Sequence, residues 1–190
     1  MTPPKKIIQQ TVGHLRNGNT ILYPTDTIWG IGCDATNGDA VGKVFGIKQR
    51  PDSKSMLLLV SSVDMLREYV TAIPDTAFQL IADEHRPLTI IYPDARNLPG
   101  KLIAEDGSIG IRITRDAFCC ELITQLGTPL VSTSANFSGS PFPLSFNEID
   151  PKMIDTVDYV VRWENQDASL NIPSKIITLD PSGRITIIRE

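Results

Sequence analysis

Apolar positions change their period several times along the chain, and each change marks an element. Ile8, Val12 and Leu15 recur at helical spacing after Pro3 and Pro4, and Asn17-Gly18 supplies a stop, so a short amphipathic helix opens the chain. Residues 20–23 read as a strand ended by Pro24. The polar stretch Thr25-Asp26-Thr27 leaves its carboxyl end, where α/β sheets place ligand loops. A second helix, about residues 39–48, carries Val41, Val44 and Phe45 and ends on Lys48. The apolar run 56–60 predicts a buried strand, followed by helices over Val63–Tyr69 and Asp75–Asp83 and strands over 89–92 and 108–113. Phe118, Leu122 and Leu126 share a helical face that stops at Gly127, a residue suited to the position just past a helix. Extended structure resumes over 129–133. Ser145-Phe146-Asn147-Glu148 has the capping-box pattern and predicts a helix start, although Pro151 follows closely. A strand is expected over 158–163, and strands Lys175–Leu179 and 184–189 flank the turn Asp180-Pro181-Ser182-Gly183.

Composition acts mainly by exclusion. A chain of 190 residues without repeat, linker or low-complexity tract is expected to be a single mixed α/β domain spanning 1–190. With 41% apolar and 21% charged residues, it forms a core without staples. Cys33, Cys119 and Cys120 are odd in number and two are adjacent, which fits a reducing compartment better than a disulfide framework. Neither a signal-peptide core nor a run of roughly 20 apolar residues is present, so a cytoplasmic location with no membrane partner is expected. A net charge of -4 argues against nucleic-acid binding through bulk charge and leaves only local basic patches for that purpose.

Such a patch exists. Lys43, Lys48, Arg50 and Lys54 surround Gln49 and Pro51, with Asp52 the one carboxylate nearby. These cations are either a solvated helix end complementing its dipole or a grip on phosphate oxygens. A Walker loop is not the means, because Gly38-Asp39-Ala40-Val41-Gly42-Lys43-Val44 is one residue short and lacks the magnesium-binding hydroxyl. The segment Ser132-Thr133-Ser134-Ala135-Asn136-Phe137-Ser138-Gly139 follows an apolar strand and is rich in small hydrogen-bonding side chains. It suits either an anion cradle or a local turn. Alternation puts Arg112 with Gly110 on the face opposite Ile109, Ile111 and Ile113, where a cation needs an anion or the solvent of an edge strand. Arg189 poses the same choice. His14 and His85 sit apart with no Gly-x-Ser-x-Gly elbow, so neither a catalytic triad nor a zinc site is drawn, and the site residues include no metal ligands.

Together, Tyr23-Pro24-Thr25-Asp26-Thr27-Ile28-Trp29-Gly30-Ile31-Gly32, then Lys48-Gln49-Arg50-Pro51, then Ser132 to Gly139, with Ile111-Arg112 and Pro173-Ser174, resemble the YrdC/Sua5 family in order and spacing. That resemblance implies a YrdC/RibB-like α+β fold, a twisted sheet of mixed parallel and antiparallel strands with helices packed on it, in the short form. It implies L-threonylcarbamoyladenylate synthase activity: L-threonine, bicarbonate and ATP give threonylcarbamoyl-AMP and pyrophosphate for t6A at tRNA position 37. Lys48 and Arg50 match the Lys-x-Arg pair expected at the ATP phosphates, and Ser132, Ser134 and Asn136 match the run beside the nucleotide. Thr27 and Arg112 match positions associated with threonine, and Ser174 and Arg189 match residues that close the ATP site. Magnesium is expected with ATP, without a dedicated protein site, and partner proteins are expected to pass the carbamoyl group on. The alternative is a non-catalytic protein binding tRNA, ribosomal RNA or double-stranded RNA in the same cleft. Departures from the family pattern fall at Ser55-Met56, Leu59, Glu84-His85-Arg86 and Thr114, on the threonine side.

Overall fold

The structure, a computed structural model, describes residues 3–49, 56–163, 172–180 and 183–190. In chain order the elements are α1 (Lys5–Arg16), β1 (Ile21–Tyr23), β2 (Gly30–Gly32), α2 (Gly38–Lys48), β3 (Leu57–Val60), α3 (Val63–Tyr69), α4 (Asp75–Asp83) and β4 (Leu88–Tyr92). They continue with β5 (Ile109–Ile113), α5 (Ala117–Leu126), β6 (Leu130–Ser134), α6 (Pro151–Thr156), β7 (Tyr159–Val160), β8 (Lys175–Leu179) and β9 (Ile185–Arg189). The strands form one sheet in the order β7-β1-β2-β6-β3-β5-β4-β8-β9. Pairs β1–β7, β3–β5 and β4–β8 are parallel and the rest antiparallel, the mixed α/β architecture expected.

Alternation along the strands sorts side chains onto two faces. Leu22, Leu58, Val60, Ile90, Ile111, Val131 and Ile177 join α2 and α3 residues such as Val41, Val44 and Leu66 in the larger core. On the opposite face Ile21, Tyr23, Leu59 and Leu130 meet Ile8, Val12 and Leu15 of α1 and Phe118, Leu122 and Ile123 of α5. These two helices cover only part of that face. Arg112 shares it, being in register with Leu59, and so do Gly110, Thr89 and Ile91 beyond them. The uncovered part is a cleft floor.

Local rules account for the helix ends. Asp116 caps α5 by accepting from Cys119 N at 2.7 Å, and Gly127 ends it in the left-handed region (φ 84). Asn37 Oδ1 accepts from Ala40 N at 3.0 Å to start α2, which ends where Gln49 turns left-handed (φ 48). Three expectations change. Ser145 to Glu148 opens not a helix but one 3-10 turn, Phe146–Glu148, because Pro151 takes the first position of the separate helix α6. The strand expected over 158–163 is only Tyr159–Val160 long, held by its parallel pairing to β1. β2 was not expected at all; Gly-Ile-Gly carries no strand signature. Residues 181 and 182 of the expected final turn lie outside the described residues.

Gly32 explains why that weak sequence is required. A Cβ there would lie 2.3 Å from Val131 O and 3.0 Å from a Tyr23 ring carbon. Gly32→Ala is therefore expected to destabilise the fold by about 2–3 kcal/mol, the scale of core overpacking. A urea midpoint unchanged from wild type would mean that the β1–β2–β6 contact is looser than described.

Candidate active site

The cleft on the open sheet face has a volume of about 230 Å³. Six of the sequence-selected residues line it: Thr27, Arg112, Ser132, Ser134, Ser174 and Arg189. They arrive from distant parts of the chain. β6 lies between β2 and β3, so Ser132 and Ser134 stand beside Gly30 and Leu57. Gly30 and Gly110 keep the floor low, since a Cβ at Gly30 would approach Ser132 Oγ at 3.5 Å.

Hydrogen bonds preset each hydroxyl. Tyr23 donates its phenol to Ser132 Oγ at 2.8 Å, leaving the serine proton for a ligand. Burial holds the Tyr23 phenol well above its ordinary pKa, so it stays a donor. Ser174 Oγ and Thr89 Oγ1 lie 2.8 Å apart, and Arg189 donates from Nε and Nη2 to Ser174 O at 3.0 and 2.7 Å. Thr25 Oγ1 accepts from Thr27 N at 3.0 Å and fixes the loop bearing Thr27.

Arg112 settles the choice left by alternation. Strand β5 lies inside the sheet between β3 and β4, so Arg112 is no edge-strand blunting charge; it is 3% exposed. Its Nη2 lies 3.2 Å from Asp26 Oδ1 and its Nη1 donates to Thr27 Oγ1 at 3.4 Å. Nε is buried and has no hydrogen-bond partner among the described residues. Burial and the Arg112 charge together pull the Arg189 pKa below its usual value, a sign of two guanidiniums facing one cleft.

Lys48 is no solvated helix end either. It is 2% exposed, and its ammonium donates to Ser134 O at 2.5 Å, to Asn136 O, and to Asn136 Oδ1 at 3.2 Å. In return Ser138 donates from N and Oγ to Lys48 O at 3.3 and 2.8 Å. The end of α2 and the hydroxyl-rich loop thus clamp one another; Lys48 and Asn136 do not line the cleft, but both are bonded to Ser134, which does. Arg50 lies outside the described residues. Sequence reading gave no role to Tyr23, Asp26 or Thr89. Tyr23 and Asp26 flank Pro24 and Thr25 in the recognised segment, and Thr89 is signalled by sharing a face with Ile91. Burial pushes the Cys119 and Cys120 thiols up, which leaves them unsuited as nucleophiles.

A fold with this cleft defines a class of proteins, and the comparisons agree on it. The family model Sua5/yciO/yrdC, described as "Telomere recombination", matches residues 13–190. The threonylcarbamoyl-AMP synthase of Xanthomonas euvesicatoria pv. vesicatoria is 34% identical over 172 residues, covering 89% of this chain and 91% of its own. That of Pseudoalteromonas translucida is 35% identical over 150 residues, covering 77% and 80%. The crystal structure of Escherichia coli YciO superposes with a TM-score of 0.83 at 26% identity, covering 100% of this chain and 91% of that one. Sua5 of P. abyssi complexed with L-threonine gives a TM-score of 0.87 at 23% identity, a likeness of fold. It covers 96% of this chain, which spans about half (53%) of that longer protein. The chain belongs to the Sua5/YciO/YrdC family.

Proposed function

We propose that this protein is a threonylcarbamoyl-AMP synthase, which forms threonylcarbamoyl-AMP and pyrophosphate from L-threonine, bicarbonate and ATP. The observation that carries the reading is the pair of guanidiniums, Arg112 and Arg189, facing one hydroxyl-lined cleft. The names of the curated relatives, two threonylcarbamoyl-AMP synthases at 34% and 35% identity, support the same chemistry.

In this reading the threonine carboxylate lies on Arg112 and Thr27. The amine attacks bicarbonate, losing water, and the resulting carbamate oxygen attacks the α-phosphorus of ATP while pyrophosphate leaves. Each step runs between substrates, so the protein contributes position and charge. A cleft of about 230 Å³ is below the roughly 300–1,000 Å³ of ligand sites for larger molecules, so it takes the amino acid and the reacting end of the nucleotide. The triphosphate then lies along Ser132, Ser134 and the Asn136 loop that Lys48 holds in place, with Ser174 as a further hydrogen-bond partner and Lys48, Arg50 and Arg189 supplying the positive charge. Among the described residues no group of three or more His, Cys, Asp or Glu is placed to hold a metal ion. Magnesium would enter with ATP as the MgATP substrate. The adenylate would supply t6A formation at tRNA position 37 through further carbamoyl-transferring proteins. No helix among the described residues is long and apolar enough to cross a membrane.

Incubation with labelled bicarbonate and ATP, with and without L-threonine, tests this. A labelled adenylate and pyrophosphate appearing only with threonine are expected. Label incorporated with another amino acid and not with threonine, or none at all, would overturn the assignment.

A further inference from the structure

A second hollow, of about 70 Å³, opens behind Arg112 and is walled by Asp26, Glu84, His85, Arg86 and Arg115 among others. Asp26 is the partition between the two spaces. Its chain neighbour Thr27 and its ion-pair partner Arg112 line the main cleft, whereas Asp26 itself lines the second. The Asp26 side chain is 20% exposed against 3% for Arg112, and its Oδ1, facing Arg112 Nη2, is buried without a well-formed hydrogen bond. The sequence departures Glu84-His85-Arg86 lie on this side of the partition, and Arg115 pins that segment by donating to Glu84 O at 3.1 Å.

We propose, resting on the amino-acid reading of the main cleft, that Asp26 is a positioning residue that holds Arg112 from behind for the substrate carboxylate. An arginine side chain has many rotamers, and fixing it beforehand removes that ordering cost from binding. Arg112 also needs a counter-charge, because Arg189 faces the same space. Asp26 at Nη2 and Thr27 at Nη1 supply two of the guanidinium's contacts, while each of these nitrogens carries a second N–H and Arg112 lines the main cleft. A long, poorly aligned ion pair fixes direction without saturating the cation, so the substrate carboxylate is not displaced by it.

Protonation supplies an independent readout. Burial raises the Asp26 pKa, Arg112 opposes that, and Asp116 adds to it, with a net upward shift. The other charged or titratable groups facing Asp26 are Glu84, His85 and Arg86 after α4, Arg115 after β5, and Cys119 and Cys120 on α5. As pH falls through the raised value, Asp26 becomes neutral and its hold on Arg112 is lost.

The test measures threonine affinity by titration calorimetry, together with KM for threonine and for ATP, in wild type, Asp26→Asn and Asp26→Glu across acid pH. Asp26→Asn is expected to weaken threonine binding by about 10–10²-fold, the scale of a displaced positioning group. The rise falls on KM for threonine rather than for ATP and exceeds any fall in kcat, and Asp26→Glu recovers most of it. Wild-type threonine affinity falls on acidification toward that of Asp26→Asn, which stays flat. Wild-type affinity in Asp26→Asn, or equal losses for threonine and ATP with a lowered unfolding midpoint, would overturn the proposal while sparing the reading of the cleft. Wild-type protein that binds no threonine would overturn both.

Discussion

Lys48→Ala lowers adenylate formation by about 10²-fold or more, the scale of losing one preorganised electrostatic partner at a developing charge. The loss has two sources. Lys48 brings the positive charge nearest the Ser134–Asn136 loop, and it organises that loop by donating to Ser134 O and to both oxygens of Asn136. Removing the ammonium leaves buried acceptors unpaired, at about 1–3 kcal/mol for each that water does not reach. Lys48→Met keeps the buried stem and loses the ammonium, its charge and its hydrogen bonds together, so it separates the ammonium's part from that of the packed stem. Steady-state pyrophosphate release should show a comparable loss in both variants, with KM for ATP raised, while urea unfolding shows the methionine variant closer to wild type than the alanine variant. Wild-type turnover in Lys48→Met would remove the ammonium from the mechanism and leave it a purely structural strut.

How much of this was legible beforehand follows from the range of the interactions involved. α3 and α4 were readable to the residue, and α5 within one, because Ser62 and Asp116 are side-chain caps and Gly127 is a local stop. β2 was not readable. Its glycines answer to Val131 O and the Tyr23 ring, contacts that exist only once β6 has inserted beside it. The capping box expected at Ser145 does not form: Ser145 makes no side-chain cap bond and its Oγ donates to Glu148 Oε1 at 3.2 Å instead, because such a box needs a helix long enough to follow it. For the site, residue types were legible and company was not. Alternation put Arg112 opposite the isoleucines, yet only the sheet order makes that face a buried cleft instead of an edge. Lys48 read as a charge seeking phosphate or solvent; its burial among the carbonyls of a loop far along the chain is a tertiary fact. Asp26 stood inside the recognised segment, and its importance rests on the long-range approach of β5 that no local pattern encodes.

Arg112→Ala abolishes productive threonine binding, raising KM for threonine by about 10²–10³-fold, the expected cost of about 2–5 kcal/mol for truncating one side of a buried charge pair. The geometry makes this effect selective. Arg112 is interior to the sheet, flanked by Thr27 and Asp26 and by the Gly110 floor, and it lines the cleft beside Thr27. In the proposed arrangement the nucleotide meets Ser132, Ser134, Asn136 and Arg189 instead, so ATP affinity should change far less. Arg112→Lys does not rescue, because a single ammonium cannot meet Asp26, Thr27 and a substrate carboxylate in the fixed fork that a guanidinium provides. Truncation also leaves the Asp26 carboxylate without its cation, and burial together with Asp116 then pushes its pKa higher still. The sign follows: with a folded pKa above the unfolded one, stability is greatest at low pH and declines as pH rises through that interval. Arg112→Ala should therefore lose more stability relative to wild type near neutral pH than in acid, and the double variant Asp26→Asn with Arg112→Ala should recover part of the neutral-pH loss without recovering threonine binding. Paired urea titrations at two pH values and threonine titration calorimetry read both effects. Unchanged threonine affinity in Arg112→Ala would place the amino-acid carboxylate on Arg189 instead.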